Sequence, residues 1–303
     1  ECKTSNIARE AAITAGFPDS IPCNTVTLAC ISSGVSIQNI SLMISTGYLK
    51  AGIAGGVELL SDFPIRYNRK VRLSLIDLQK AKSFGERFKH LKTVASNWFS
   101  PELPAVSEFT TGEVMGNSGD RLAAAFCVSR REQDEFAIRS HTLADKAFRE
   151  NKLKDVAFIK PHGSVTAGNS SYLTDGASAA LLASEEFARE KGYRPKVFIR
   201  ETLFVAQDPK DQLLLGPAYV IPKLLDKNYM KRKAKFGLLP LEKVNMWGGS
   251  LSLGHPFGAT GVRLLAHAAN RLQAEGGRFA VIAACAAGGH GMGMLVENYE
   301  SKQ

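Results

Sequence analysis

Apolar and polar residues along this chain follow two alternating rhythms, and their order predicts an α/β protein with buried strands. Ser5 to Ala15 sets Ile7, Ala11 and Ile13 on one side and Arg9 and Glu10 on the other. This is a short amphipathic helix, stopped by Gly16-Phe17-Pro18-Asp19. Val26-Thr27-Leu28-Ala29 reads as a β run, broken at Cys30-Ile31-Ser32-Ser33-Gly34. A helical pattern follows through Ile37, Ile40, Leu42, Met43 and Ile44. Ala51-Gly52-Ile53-Ala54 reads as a short buried strand closed by Gly55-Gly56.

The C-terminal end repeats that order. Gly248 to Gly261 holds five glycines, one histidine and no charged residue, and an apolar helical rhythm follows through Val262, Leu264, Leu265, Ala268 and Leu272. Phe279 to Ala284 is a wholly apolar strand, closed by Cys285-Ala286-Ala287-Gly288-Gly289. The recurrence predicts two similarly built halves around a pseudo-twofold axis. Between them, Arg66 to Lys92 carries nine Lys or Arg against Asp77 and Glu86, with apolar residues interleaved and Trp98-Phe99 following. That segment reads equally as a surface for an anionic membrane and as a solvated face packed on its own protein. Ser129 caps a long polar helix through about Glu150. Val165 to Ser171 is a small-residue loop, and Asp175 to Leu182 returns to strand character.

A length of 303 residues with 45% hydrophobic and 22% charged residues describes a globular protein with a large core. No apolar run reaches the length of a membrane span. The chain opens Glu1-Cys2-Lys3 without methionine, so a start upstream or a removed leader is expected. The formal charge of +9 suits nucleic acid, acidic lipid or an anionic small molecule, and nucleic acid has nothing else in its favour. The five scattered cysteines form no C-x-x-C pair. That argues against a disulfide framework and against a zinc site and favours a reducing compartment.

Two of those cysteines have a setting for chemistry. Cys30 sits between the predicted strand and helix, where the helix N-terminus is expected to lower its thiol pKa. Cys285 holds the matching place after the second strand, and His255 stands at the head of the second helix. A twofold would bring all three to one cleft suited to acyl transfer through a thioester. The bland alternatives are a buried free cysteine and a structural histidine in a helix-entry loop. Cys2, Cys23 and Cys127 have no such setting and read as structural.

These residues resemble the thiolase family over nearly the whole chain. Thr27 to Gly34 is similar to its acyl-enzyme cysteine segment, and Ala54 to Ser61 to its A-G-G-x-E-x-x-S strand end. Asn245 to Gly261 is similar to its N-x-x-G-G…G-H-P-x-G-A-[ST]-G motif, and Cys285 to Gly291 to its C-x-x-G-G-x-G ending. Ser129–His141 and Thr166–Ala180 also fit. The basic insert and Asp208 to Pro217 are similar to the trifunctional β-subunit branch of fatty-acid oxidation. The resemblance implies a thiolase-like α/β fold of two pseudo-twofold-related halves in αβαβα layers with an inserted loop domain. The implied division is 1–61 plus 172–184, with the first strands missing, then the loop domain 62–171, then 185–303. It also implies cleavage of 3-ketoacyl-CoA by coenzyme A, which is substrate rather than bound cofactor, and no metal. Cys30 would carry the acyl group, His255 would be its base, and Cys285 the second acid and base. Backbone N–H groups of Cys30 and Ala287 would form an oxyanion site, and Ser171 and Met115 would line the pantetheine and acyl channel. The implied setting is mitochondrial, on the matrix side of the inner membrane, as a homodimer joined to an α-subunit.

The chain departs from the family at defined points. No N-E-A-F or H-E-A-F motif stands before the histidine turn, because Leu225-Asp226-Lys227 runs straight into Asn228-Tyr229-Met230. The Asn or His of that motif holds a water in the first oxyanion hole, and one lost oxyanion donor costs about 10²–10³ in rate. A second block is absent between Asp155 and Ala157. Two other readings therefore stay open: an impaired, CoA-binding subunit, and a condensing ketoacyl synthase. The latter pairs its cysteine with two histidines, or a histidine and an asparagine, where this chain has Cys285.

Overall fold

The computed structural model describes residues 4–62, 64–102, 107–153, 170–227 and 240–299. Cys2, most of the Val165–Ser171 loop, the junction at Asp155 and the residues after Lys227 lie outside them. In chain order the elements are α1 (Ile7–Thr14), α2 (Ser32–Ser45), β1 (Ala51–Glu58), β2 (Arg66–Tyr67), α3 (Arg69–Lys80), α4 (Phe84–Asn97) and β3 (Pro101–Glu102). Next come α5 (Met115–Ala125), α6 (Arg130–Arg149), β4 (Gly176–Ala183), α7 (Glu185–Glu190), β5 (Val197–Ala206) and α8 (Gly216–Lys227). The chain closes with α9 (Ser250–Leu253), α10 (Thr260–Glu275), β6 (Phe279–Ala286) and β7 (His290–Asn298).

Two sheets carry the repeat expected from the sequence. β1 pairs antiparallel with β4, and β6 pairs antiparallel with β7, whose other edge takes β5. The helices α2 and α10 lie side by side at the centre, each packed on the strand that follows it. One apolar core joins them, including Ile31, Ile37, Ala54, Val262, Leu265, Ala286, Met292 and Met294. Glycine makes the crossing possible, because a Cβ on Gly261 would stand 2.4 Å from the Gly34 nitrogen. The Ser33 hydroxyl accepts from the Val262 N–H at 3.1 Å and pins the crossing. The two halves differ at one edge. Where β5 covers β7, the corresponding edge of β4 borders a cavity of about 1590 Å³, lined also by α10 residues such as Arg263 and His267.

Two local expectations are corrected. Val26 to Ala29 is not a strand: among the described residues no partner strand supplies a ladder, and the Leu28 N–H donates instead to the Ser32 hydroxyl at 2.8 Å. Gly55 and Gly56 do not close β1 but lie within it, paired with Ala179 and Ser178. Their glycine identity answers to packing, since a Cβ on Gly56 would fall 1.8 Å from the Gly258 carbonyl oxygen, which is backbone and has little room to yield. Gly56→Ala is expected to cost about 3 kcal/mol of stability. Urea unfolding checks this, and an unchanged midpoint would refute the contact.

The basic segment is a helical hairpin rather than one run. Asn68 caps α3 by accepting from the Val71 N–H at 3.0 Å, and its amide donates to the carbonyls of Asn97 and Ser100, closing the hairpin at its base. Ser83 and Glu86 form a capping box at the start of α4, as Ser129 and Glu132 do for α6.

Candidate active site

Cys30 occupies a single 3-10 turn, Ala29–Ile31, directly before α2. Ala29 has φ of 43°, left-handed backbone that a residue with a Cβ adopts only under strain. The Ser32 hydroxyl holds that turn, accepting from Leu28 and donating to the Ala29 carbonyl at 2.7 Å. Ile31 is fully buried and anchors the turn in the core, leaving Cys30 half-buried beside it.

Cys285 is the penultimate residue of β6, opposite Gly291 on β7. The Cys30 turn packs against β6 and against the one-turn helix Phe257–Ala259 that follows His255. The fold therefore gathers the two cysteine turns and the histidine loop at one place, as the repeat predicted. The electrostatics agree for the cysteines, since Cys285 lies close enough to act on the Cys30 thiol.

The expectation of a lowered Cys30 pKa is overturned. Burial pushes the thiol up to about 11, with Cys285 and Glu58 adding to the rise, while the backbone amides of Cys30 and Ala287 pull it down. Desolvation of the thiolate outweighs the helix N-terminus. Burial also raises the Cys285 thiol. The same two amides were expected to form an oxyanion site, and both act on the Cys30 sulfur.

His255 is held from three sides. Its backbone N–H donates to the Thr174 hydroxyl at 3.1 Å, its Nδ1 lies 2.7 Å from the Thr260 hydroxyl, and its ring meets Phe257 edge-on at 5.1 Å. The Thr260 hydroxyl donates its one proton to the Pro256 carbonyl at 2.9 Å. Both bonds are made together only if Nδ1–H donates to Thr260, which leaves Nε2 bare as a proton acceptor. Burial, then the Arg263 cation, lowers the imidazole pKa to about 4.

Other residues of this site had no local signal. Glu58, the last residue of β1, accepts from the Gly258 N–H at 2.9 Å and so clasps the histidine loop. Ser178 donates to the Ala259 carbonyl at 2.6 Å from β4. Arg263 is deeply set, donates to Ser250 at 2.8 Å, and has its own pKa lowered to about 10 by burial. Glu58 lies inside a quoted motif, but its target is 200 residues away. The remaining named residues are not joined to the cluster by the described contacts. Met115 opens α5 and Ser171 precedes Tyr172, both half-buried. Cys23 and Cys127 are free thiols elsewhere. Among the described residues no group of His, Cys, Asp or Glu could hold a metal ion, and no helix is long and apolar enough to cross a membrane.

Comparison with known proteins accords with this arrangement. The thiolase N-terminal domain model matches residues 1–157 and 151–186, and the thiolase C-terminal domain model matches 230–298. A probable 3-ketoacyl-CoA thiolase of Caenorhabditis elegans is 54% identical, covering 99% of this chain and 82% of the relative. The mitochondrial trifunctional enzyme subunit beta of Homo sapiens is 50% identical, covering 99% and 77%. The first alignment spans 366 positions, more than the chain's 303 residues, so the relative carries stretches this chain lacks. The family-model matches break near Asp155 and resume at Met230, where the two departures fall. Among solved structures, the acetyl-CoA acetyltransferase of Bacillus anthracis superposes with a TM-score of 0.77 at 27% identity, covering 98% of this chain and 84% of that one. Human mitochondrial 3-ketoacyl-CoA thiolase shares the fold with a TM-score of 0.76 at 23% identity, covering 96% and 82%. With both family domains and these relatives matched across the same turns that carry Cys30, His255 and Cys285, the chain belongs to the thiolase family.

Proposed function

We propose that the chain is a 3-ketoacyl-CoA thiolase, an acyltransferase that cleaves a 3-ketoacyl-CoA with coenzyme A. The products are acetyl-CoA and an acyl-CoA two carbons shorter. The observation that carries this reading is the meeting of Cys30, Cys285 and the Ala287 amide at one sulfur. With the thiol far above neutrality and the imidazole far below it, the resting pair is neutral thiol and neutral imidazole. His255 Nε2 takes the Cys30 proton as the sulfur attacks the 3-keto carbon. The bond between C2 and C3 then breaks, and its electron pair leaves on C2 of acetyl-CoA, where the Cys285 thiol protonates it. The Cys285 thiolate next removes the proton of the incoming CoA thiol. That thiol attacks the acyl thioester, and the departing Cys30 sulfur recovers its proton from His255. The Cys30 and Ala287 amides stabilise the oxyanion at the acyl carbon, and His255 assists at the other oxyanion. Ser171 and Met115 line the pantetheine and acyl channel, and basic residues of the loop domain meet the CoA phosphates. Coenzyme A is a substrate here, and no covalently bound cofactor takes part. The test is thiolysis of a long-chain 3-ketoacyl-CoA by the purified chain, followed as loss of the 3-keto thioester with equimolar acetyl-CoA. CoA binding without turnover would favour the impaired-subunit reading, which the missing motif supports.

The relatives named as trifunctional enzyme subunit beta support a mitochondrial setting and an α-subunit partner, and the homodimer is part of the same proposal. The α3–α4 hairpin supports contact with an anionic bilayer at the matrix side of the inner membrane. Phe84, Phe88, Leu91 and Phe99 are exposed there, with Phe99 93% accessible, among Lys and Arg side chains. Co-sedimentation with vesicles containing anionic phospholipid is expected, weakening as salt rises. Each inserted Phe contributes about 1.5 kcal/mol or more. The double variant F88S/F99S should therefore bind about a hundredfold more weakly, and an unchanged affinity would refute membrane contact.

A further inference from the structure

Glu108 lies in none of the motifs above, yet it touches the turn that follows the second cysteine. Its loop is tightly folded. The Glu108 N–H donates to the Glu113 carbonyl at 2.8 Å, the Gly112 N–H donates to the Glu108 carbonyl at 2.8 Å, and Ser107 bridges to Val114. From that loop the half-buried carboxylate accepts from the Gly288 N–H at 2.6 Å.

The turn it holds is Ala287-Gly288-Gly289, with φ of 88° and 72° at the two glycines. Its far side is fixed too: the Gln207 N–H donates to the Gly289 carbonyl at 2.8 Å, and a Cβ on Gly289 would meet the Gln207 carbonyl oxygen at 2.3 Å. The turn is thus clamped between the loop before α5 and the segment after β5. A second network runs parallel to this clamp. Glu113 accepts from Ser118 at 3.0 Å and pairs with Arg121 at 2.6 Å, and Arg121 donates to the Lys210 carbonyl at 2.6 Å. The Gly288 N–H belongs to the peptide joining Ala287 to Gly288, and the preceding Ala286 is held in the β6–β7 ladder, so fixing that peptide limits how far the Ala287 N–H between them can turn.

We propose that Glu108 is a positioning residue for the acyl-transfer site, holding the Ala287–Gly288 peptide so that the Ala287 N–H stays aimed at the Cys30 sulfur. This rests on the role given to Cys30 under the proposed function. Glu58 does the same for the histidine loop through Gly258, so each reactive turn is pinned by one carboxylate on one glycine amide. A charged acceptor suits the task because such bonds are shorter and stronger than neutral ones. Glu108 is not among the groups acting on Cys30's titration, so its influence is through geometry.

Three variants separate geometry from charge. Glu108→Gln keeps an acceptor oxygen, Glu108→Ala removes it, and Glu108→Asp withdraws it by one methylene. The first readout needs no turnover: alkylation of Cys30 by iodoacetamide from pH 7.5 to 10, resolved by peptide mass. In Glu108→Ala the Cys30 profile should move to higher pH, with the rate at pH 8.5 lowered at least about threefold as a stabilising amide is lost. Cys23 and Cys127 should react as before, and Glu108→Gln should follow the wild type. The second readout is thiolysis. A misplacement of about 1 Å can cost up to about 10²-fold, so kcat in Glu108→Ala should fall about ten- to a hundredfold with KM within about twofold. Should the alanine variant fail to fold, Glu108→Asp is expected to shift both readouts in the same direction. Superimposable Cys30 profiles for wild type and Glu108→Ala would overturn the proposal, as would a glutamine variant as impaired as the alanine one. A Glu108-dependent Cys30 profile in a protein that shows no thiolysis would leave the positioning intact and defeat the activity instead.

Discussion

Cys30→Ala is expected to abolish thiolysis, lowering kcat/KM by at least about a thousandfold. The variant removes the one atom that the mechanism bonds to the acyl chain, and no neighbour has an equivalent setting. Cys285 shares the cleft, but it ends a strand rather than standing in a strained turn before a helix. His255, with its Nδ1–H held by Thr260, presents Nε2 as a base and has no sulfur with which to form the acyl thioester. The substitution is small and the site only half-buried, so unfolding should not confuse the result. Mass spectrometry of wild-type protein quenched after mixing with 3-ketoacyl-CoA should find the acyl adduct on the Cys30 peptide, and the alanine variant should show none. A variant rate within tenfold of wild type, or an adduct on the Cys285 peptide, would sink the mechanism.

The elements that periodicity can report are legible in the sequence. The rhythm from Ile37 to Ile44 became α2, that from Val262 to Leu272 became α10, and Ser129 with Glu132 capped α6. Repetition of turn, helix and strand announced the two halves and the meeting of both cysteine turns with the histidine loop. What failed did so where the outcome depended on distant partners. Val26 to Ala29 has strand composition but, among the described residues, no strand beside it. Gly55 and Gly56 look like a strand terminator, and only the Gly258 carbonyl explains them as strand residues. The helix terminus acts on Cys30 locally, but burial against the core around Ile31 and Ala286, with the Cys285 and Glu58 charges, outweighs it. Thr174 reaches His255 across 81 residues and Glu58 reaches Gly258 across 200, so no window along the chain contains either bond.

Those same burial effects make the fold sensitive to acid. His255 and His267 both have pKa values lowered to about 4, each first by burial and then by the Arg263 cation, with Arg271 adding to the effect on His267. Arg263 itself keeps a pKa of about 10 and stays charged throughout. In the unfolded chain both imidazoles titrate near 6.5. Between those values the unfolded state binds a proton at each histidine that the folded state refuses. Stability is therefore complete above about pH 6.5 and is lost as pH falls toward 4. One pH unit costs about 1.4 kcal/mol for each such proton. By pH 5 the expected loss is about 2 kcal/mol per histidine and about 4 kcal/mol for the pair, a large part of the 5–15 kcal/mol typical of a domain. Urea unfolding at pH 7, 6 and 5 measures it directly. Among the described residues His267 Nε2 has no hydrogen-bond partner beside the Trp247 ring, so His267→Gln removes one titrating group without breaking a bond of that nitrogen. That variant should show about half the wild-type loss between pH 7 and 5. A stability that stays flat over this range would mean that the imidazoles charge as readily in the folded protein as in the unfolded chain, and would refute the burial of both rings.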